Sequence, residues 1–208
     1  MPLEIQYMKD IRQVELNDLI RSSPNSWFQH TDQWRKYTLN MRKSGSVDLS
    51  FGVFQNNKLV AFSPLVKEYI YDTQEKDEFS MAGFPSVYPV FLDTLSKNNK
   101  DKVEKLIFKN IFETAKNEDI NYINFYIPPL SHVVLDKKMI VNPLCKFGFH
   151  DTTISTNLLK LDKEENLLFR NFRKGTKSDI KTAVKKGYVT NIFDNINNVK
   201  GFLVIDSN

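Results

Sequence analysis

Six cations, Arg170, Arg173, Lys174, Lys177, Lys181 and Lys185, recur at three- and four-residue spacings within the stretch 155–191. At about 100° per helical residue they fall within roughly a third of the circumference, beside an apolar stripe of Phe169, Phe172, Ile180, Ala183 and Val184. Such a row suits phosphate capture, because lysine is a point donor and arginine a forked one, and both act several-fold more strongly in a cleft than in open water. Standing free in solvent, the same row is a solvated helix face, and residue types alone leave both readings open.

Other chemistry is sparse. His30, His132 and His150 lie far apart, and no pair of them has helical metal-ligand spacing. No serine has glycines two residues to each side, which removes a nucleophile elbow. The seven glycines are isolated, so neither a P-loop nor a dinucleotide fingerprint is present, nor the "Q/R-x-x-G-x-G/A" loop on which acetyl-CoA enzymes hold pyrophosphate at a helix N-terminus. Asp18, Asp32 and Glu78 carry no assignable role, and the catalytic residues stay open.

The elements that must position the cations read as strand, helix, helix, strand. Leu158, Leu159 and Leu161 end a strand, and Asp162 with Glu165 makes a capping box for a helix to about Lys174. Thr176 with Asp179 repeats the signal, and Gly187 supplies a left-handed stop. Upstream, Leu3, Ile5 and Tyr7 alternate as a strand. A helix over Asp10 to Arg21 is stopped by Ser23-Pro24, and Thr31 caps a helix carrying Trp34, Tyr37, Thr38 and Met41 that ends at Gly45. Val47 to Glu68 reads as a hairpin turning at Asn56-Asn57. Tyr69 to Glu78 reads as a polar loop, and Phe79 to Pro89 as an apolar loop whose Phe84 and Tyr88 pin it to the core, unless it lines a cleft as the family resemblance given below implies. The clearest helix spans Lys100 to Asn117, with Val103, Leu106, Ile107, Ile111, Phe112 and Ala115 inside and Glu104, Lys105, Lys109 and Lys116 outside. Ile120 to Ile127 is apolar on both faces, as a central covered strand is.

These motifs resemble those of the Fem-type (FemAB-like) aminoacyltransferases. FRKGTKSDIKTAVKKGYV is similar to that family's basic segment, with Asp179, Ile180, Lys181, Ala183, Lys185, Lys186 and Gly187 in register. Phe28, Gln29, His30, Thr31 and Trp34 follow the order of its aromatic motif, Val60, Ala61, Pro64 and Leu65 that of its proline strand, and CKFGFHDT resembles its "G-F" turn. The resemblance implies an α+β, GNAT-like fold: a mixed, mostly antiparallel sheet flanked by helices over 1–161, then at 162–208 a basic helical pair that begins a second GNAT-like domain, most of it missing. It further implies acyl or aminoacyl transfer to a phosphate-linked cell-wall or surface-polysaccharide precursor, with aminoacyl-tRNA as donor in place of acyl-CoA. Trp34, Tyr88, Arg173, Lys174, Lys177 and Lys181 are the implied substrate-binding residues, the cations converging near the Trp34 helix. Trp34 also reads as a core anchor. The alternative is an RNA- or tRNA-binding module using the same cations without catalysis.

Composition fits one full domain and part of another: 208 residues, 41% apolar, 26% charged. A net charge of +4, from 29 cations against 25 anions, is a milder excess than a nucleic-acid-binding module shows. A single cysteine, Cys145, excludes an internal disulfide framework and a cysteine-clustered metal site, so no metal is expected. The N-terminal MPLEIQYMKDIRQ lacks a signal-peptide core, and no run approaches the roughly 20 apolar residues of a membrane span. A cytoplasmic protein is the expectation.

Overall fold

Phe51–Gln55 (β3) and Lys58–Ser63 (β4) pair antiparallel and are buried along nearly their whole length, as central strands covered on both faces must be. Asn56 and Asn57 join them with φ of 54° and 57°, the left-handed pair that a two-residue primed turn requires and asparagine tolerates. Leu3–Tyr7 (β1) adds to β3, and Val90–Phe91 (β8) to β4, all antiparallel. At Pro64, which has no N–H to offer the ladder, the strand bends and continues as Val66–Ile70 (β5) in a second sheet ordered β10-β7-β6-β5-β2. Its neighbour breaks at the same level, between Val47–Asp48 (β2) and β3. There the buried Ser50 hydroxyl accepts the Leu65 N–H at 3.0 Å and so repairs the ladder.

The structure, a computed structural model, describes residues 2–41, 46–70, 76–129, 131, 142–152 and 164–188. Two units divide the chain, Met1–Ile154 and Ser155–Asn208. In the first, one face of the β1-β3-β4-β8 sheet packs on Gln13–Ser22 (α1) through Leu16, Leu19, Phe54, Leu59 and Phe62. The other packs on Lys97–Asn117 (α3), whose Val103, Ile107, Phe108 and Ile111 bury against Phe51, Val53, Ala61 and Leu65. Phe147 stacks on Phe108 with centroids 4.2 Å apart. The mixed, mostly antiparallel sheet flanked by helices is therefore what forms.

Several local expectations change. The α1 helix starts at Gln13, behind a 3-10 turn at Met8–Asp10, and α3 starts at Lys97, capped by the Ser96 hydroxyl. Glu104 is buried in α3 and not outside it. Lys146 donates to it at 2.5 Å and the Tyr88 hydroxyl donates to its other oxygen, so a carboxylate with one cationic and one hydroxyl donor replaces the solvated one its helical position suggested. Phe112, expected inside, is exposed. The segments read as loops at 69–78 and 79–89 contain two strands, Lys76–Met81 (β6) and Phe84–Val87 (β7), turning at Ala82-Gly83 with φ of 59° and 79°. Polar Asp77 and Glu78 hid β6, although β5 supplies its ladder. The strand expected at 120–127 is two short pieces, Tyr122–Ile123 (β9), parallel to β6, and Phe125–Tyr126 (β10), parallel to β7. The strand steps at Asn124 from β6 to β7, the two arms of one hairpin.

In the second unit, Glu165–Asn171 (α4) and Lys174–Lys185 (α5) form. The break falls earlier than the caps suggested: Phe172 and Arg173 are extended, Arg173 is the N-cap of α5, and Thr176 lies inside the first turn. The corner is held by the Lys177 amine, which donates to the Arg170 carbonyl at 2.8 Å, and by the edge contact of Phe169 with Phe172. Gly187, with φ of 76°, ends α5 as expected, its N–H on Val184 and the Tyr188 N–H on Ala183, the paired bonds of a Schellman stop. Phe169, Phe172 and Ile180 are half-buried, whereas Ile107 and Ile111 in the first unit are fully so. Ser155 to Leu161 and the Asp162 cap lie outside the described residues.

Candidate functional site

An aromatic cluster sits where the sheet steps. Asp32–Met41 (α2) is begun by Thr31, whose hydroxyl accepts the Trp34 N–H at 3.3 Å. The three-residue spacing then places Trp34 and Tyr37 on one face, ring centroids 5.0 Å apart. Phe28, in the 3-10 turn before α2, meets Trp34 edge-on at 4.8 Å, and Phe84 approaches it from β7 at 6.3 Å. Phe28 is 49% exposed, Tyr37 48% and Phe84 56%. Phe84 therefore does not pin its loop to the core, one of the two roles open to it from sequence. The Trp34 indole nitrogen is buried with no hydrogen-bond partner among the described residues.

The cluster is tied to the stepped strands by three polar contacts. Trp27 donates its indole N–H to the Tyr126 hydroxyl on β10, whose pKa burial raises against that hydrogen bond. His30 accepts the Trp27 N–H at Nδ1, 2.8 Å, which puts its proton on Nε2, donated to the Tyr88 carbonyl at 2.9 Å. Burial pulls the His30 pKa down from 6.5 to about 4, against the two backbone bonds. Glu68, fully buried, accepts the Ala82 and Gly83 N–H groups, each at 3.1 Å, together with the Ser80 hydroxyl, and so fixes the hairpin that presents Phe84.

A neutral, buried His30 that must take up a proton on unfolding gives a signed pH dependence. Its folded pKa lies below its unfolded one, so its contribution is complete above pH 6.5 and is lost as pH falls toward 4. The loss amounts to about 3 kcal/mol. The wild-type melting temperature should fall more steeply across that window than that of His30→Gln, and parallel pH profiles would show that His30 does not titrate on unfolding.

On the far side of α2, Arg35 bridges Asp32 at 2.5 Å and Asp48 on β2, and Lys36 adds to Asp32 at 2.7 Å. Burial disfavours the Asp32 charge, but Lys36 and Arg35 outweigh it and hold the carboxyl below its usual range. These charges lock α2 in place. The Tyr88 ring lies in the core against Phe91 and Phe108. Burial, then Glu104, pushes its hydroxyl well above the ordinary range, so it remains a donor.

The structure thus brings Trp34 together with Phe84, while the Tyr88 ring lies in the core and its carbonyl holds His30. Arg173, Lys174, Lys177 and Lys181 lie in the second unit. There Arg173, Lys174 and Lys181 are exposed, Lys177 is half-buried on Arg170, and Lys174, Lys177, Lys181 and Lys185 share an arc of about 80° on α5. Sequence reasoning did not single out Phe28, Tyr37 or Glu68 as site residues. The one available signal was the run of aromatics around Trp34.

No known protein family matches the chain by sequence profile, and no curated protein matches it by sequence. Among solved structures, FemX is 15% identical with a TM-score of 0.56, the match covering 96% of this chain and 48% of FemX. The fold is GNAT-like. The chain spans about half the length of FemX. Other structures similar to this chain include the aminoglycoside N-acetyltransferase AAC(6')-Iy in complex with CoA, 12% identical, TM-score 0.49, covering 76% of this chain and 95% of that one. An acetyltransferase from Clostridium acetobutylicum with acetyl-CoA is 14% identical, TM-score 0.43, covering 76% and 96%.

The residues ahead of α3 make a poor seat for a diphosphate. The helix follows Leu92-Asp93-Thr94-Leu95-Ser96, without a glycine, and Asp93 adds a negative charge. The Ser96 hydroxyl already accepts the Asn99 N–H, at 3.4 Å, one of the donors an anion there would need.

Proposed function

We propose that the chain catalyses acyl transfer, with the cluster of Phe28, Trp34, Tyr37 and Phe84 as its acceptor surface. The acceptor is a phosphate-linked cell-wall or surface-polysaccharide precursor, and the donor is an aminoacyl-tRNA, which places the reaction in the cytoplasm. The observation that carries this reading is the cluster itself, in which Phe28, Tyr37 and Phe84 stand about half-exposed around Trp34. Likeness to FemX in fold supports it. So does the misfit of the α3 N-terminus to a coenzyme diphosphate.

Exposed aromatic rings offer flat apolar faces with low conformational-entropy cost, suited to a sugar or peptide acceptor. The described ionisable groups around the cluster are engaged structurally: His30, Glu68, Glu104 and Asp32 all hold partners. Catalysis by positioning follows. An amino acid esterified to tRNA is already activated and an amine is a competent nucleophile once deprotonated, so alignment lowers the barrier without a side-chain nucleophile. Arg173, Lys174, Lys177 and Lys181 stand in the second unit, and cations of this kind suit a phosphate.

The test is transfer of a radiolabelled amino acid from charged tRNA to a uridine-diphosphate-linked peptide precursor by the full chain. Transfer that falls about tenfold in Phe84→Ala supports the proposal, since tenfold is about 1.4 kcal/mol, at the upper end of what one aromatic contact is worth. Absence of transfer, or transfer indifferent to Phe84 and Tyr37, contradicts it.

A further inference from the structure

The helical pair α4–α5 has a second feature besides its cations: large apolar side chains left in solvent beside them. Val184 is 71% exposed, Tyr188 73% and Leu167 38%. On α5, Val184 falls at the edge of the arc carrying Lys177, Lys181, Lys174 and Lys185, and Ile180 and Ala183 continue the apolar stripe on its other side. Lys186 follows at the C-cap, and Tyr188 stands just past the Gly187 stop. Asp179 is the one acidic residue within α5. Exposed valine and leucine gain nothing in water. A short helix with an apolar stripe flanked by lysines and an aromatic at its end is suited to lie in the plane of a membrane interface, its stripe at the acyl boundary and its cations among anionic headgroups.

We propose that α4–α5 is a docking surface for an anionic lipid bilayer. Charge complementarity sets the occupant, and the exposed apolar side chains decide for lipid over RNA: a nucleic-acid backbone would reward the cations and leave Val184 and Leu167 without a partner. Among the described residues no helix is long and apolar enough to cross a membrane, and the contact proposed is of α4–α5 with the bilayer surface. It does not rest on acyl transfer, though it would bring the chain to a lipid-linked acceptor.

The experiment is co-sedimentation of the full chain with vesicles of phosphatidylcholine alone, or with about a third phosphatidylglycerol, compared with a single-stranded RNA oligonucleotide of matched charge. Binding should be confined to the anionic vesicles. It should weaken more than tenfold in Lys185→Glu/Lys186→Glu, at about fivefold per charge removed, and several-fold in Val184→Asp. Circular dichroism confirms that each variant keeps its helices, and Val184→Leu should bind at least as well as wild type, so a loss seen only with aspartate reads insertion. Equal binding to neutral and anionic vesicles overturns the proposal. So does tighter binding to RNA with Val184→Asp indistinguishable from wild type, which would make the face a nucleic-acid interface. Transfer to a soluble acceptor is measured without vesicles, so either idea can fail alone.

Discussion

Replacing Phe108 with alanine should destabilise the first unit by about 3–5 kcal/mol, the range for removing a fully buried phenylalanine. The ring is wholly buried and contacts Tyr88, Phe112, Phe125, Phe147 and Phe149, so one truncation opens a cavity that touches α3, β10 and the Pro143–Phe147 turn together. The melting temperature should fall by about 10 °C. Phe112→Ala, on the same helix but exposed, should cost less than about 1 kcal/mol. Urea denaturation of both variants checks the pair, and equal losses would mean that α3 does not seat on the sheet by the face described.

Glu68→Ala has the second large effect, and it joins stability to the site. The buried carboxylate accepts from the Ser80 hydroxyl and the Ala82 and Gly83 N–H groups. Its removal strands the buried Ser80 and Ala82 donors at about 1–3 kcal/mol each, giving a loss of about 3 kcal/mol once the hairpin relaxes. Ala82 adds to this, because φ of 59° is strained for any residue with a Cβ and is kept there by the bonds to Glu68. Ala82→Gly in the Glu68→Ala background should therefore recover about 1 kcal/mol. Since the hairpin carries Phe84 to Trp34, acceptor binding should also drop several-fold at temperatures where the variant is folded. A Glu68→Ala protein within about 1 kcal/mol of wild type would show that the carboxylate does not hold the turn.

Periodicity made the framework legible. β1, α1, the Asn56-Asn57 turn and α3 all announce themselves by spacing, since each has one face in the core and one elsewhere, and Gly187 marked its stop because only a left-handed residue closes α5 in that way. The hairpin of β6 and β7 was hidden because part of what holds it is distant in sequence: β9 pairs with β6 and β10 with β7 from much later in the chain, and Glu68 supplies the turn's hydrogen bonds from twelve or more positions away. Glu104 looked solvated because its partners, Tyr88 and Lys146, arrive from other elements. For the same reason the aromatic cluster was half visible. Trp34 stood out within its motif, but Phe84 joins it only after β7 is placed, and His30 was one histidine among three until its two backbone partners fixed it as a tether.

The central claim is that an acceptor lies on the aromatic cluster and receives an acyl group from a donor other than coenzyme A. A competition assay tests it most directly: the full chain is given labelled aminoacyl-tRNA and labelled acetyl-CoA together, with a uridine-diphosphate-linked peptide as acceptor, and both products are counted. The account predicts that label from the aminoacyl-tRNA enters the peptide, falls about tenfold in Phe84→Ala, and is unchanged when acetyl-CoA is in excess. Label arriving from acetyl-CoA, at a rate indifferent to Phe84, would contradict it.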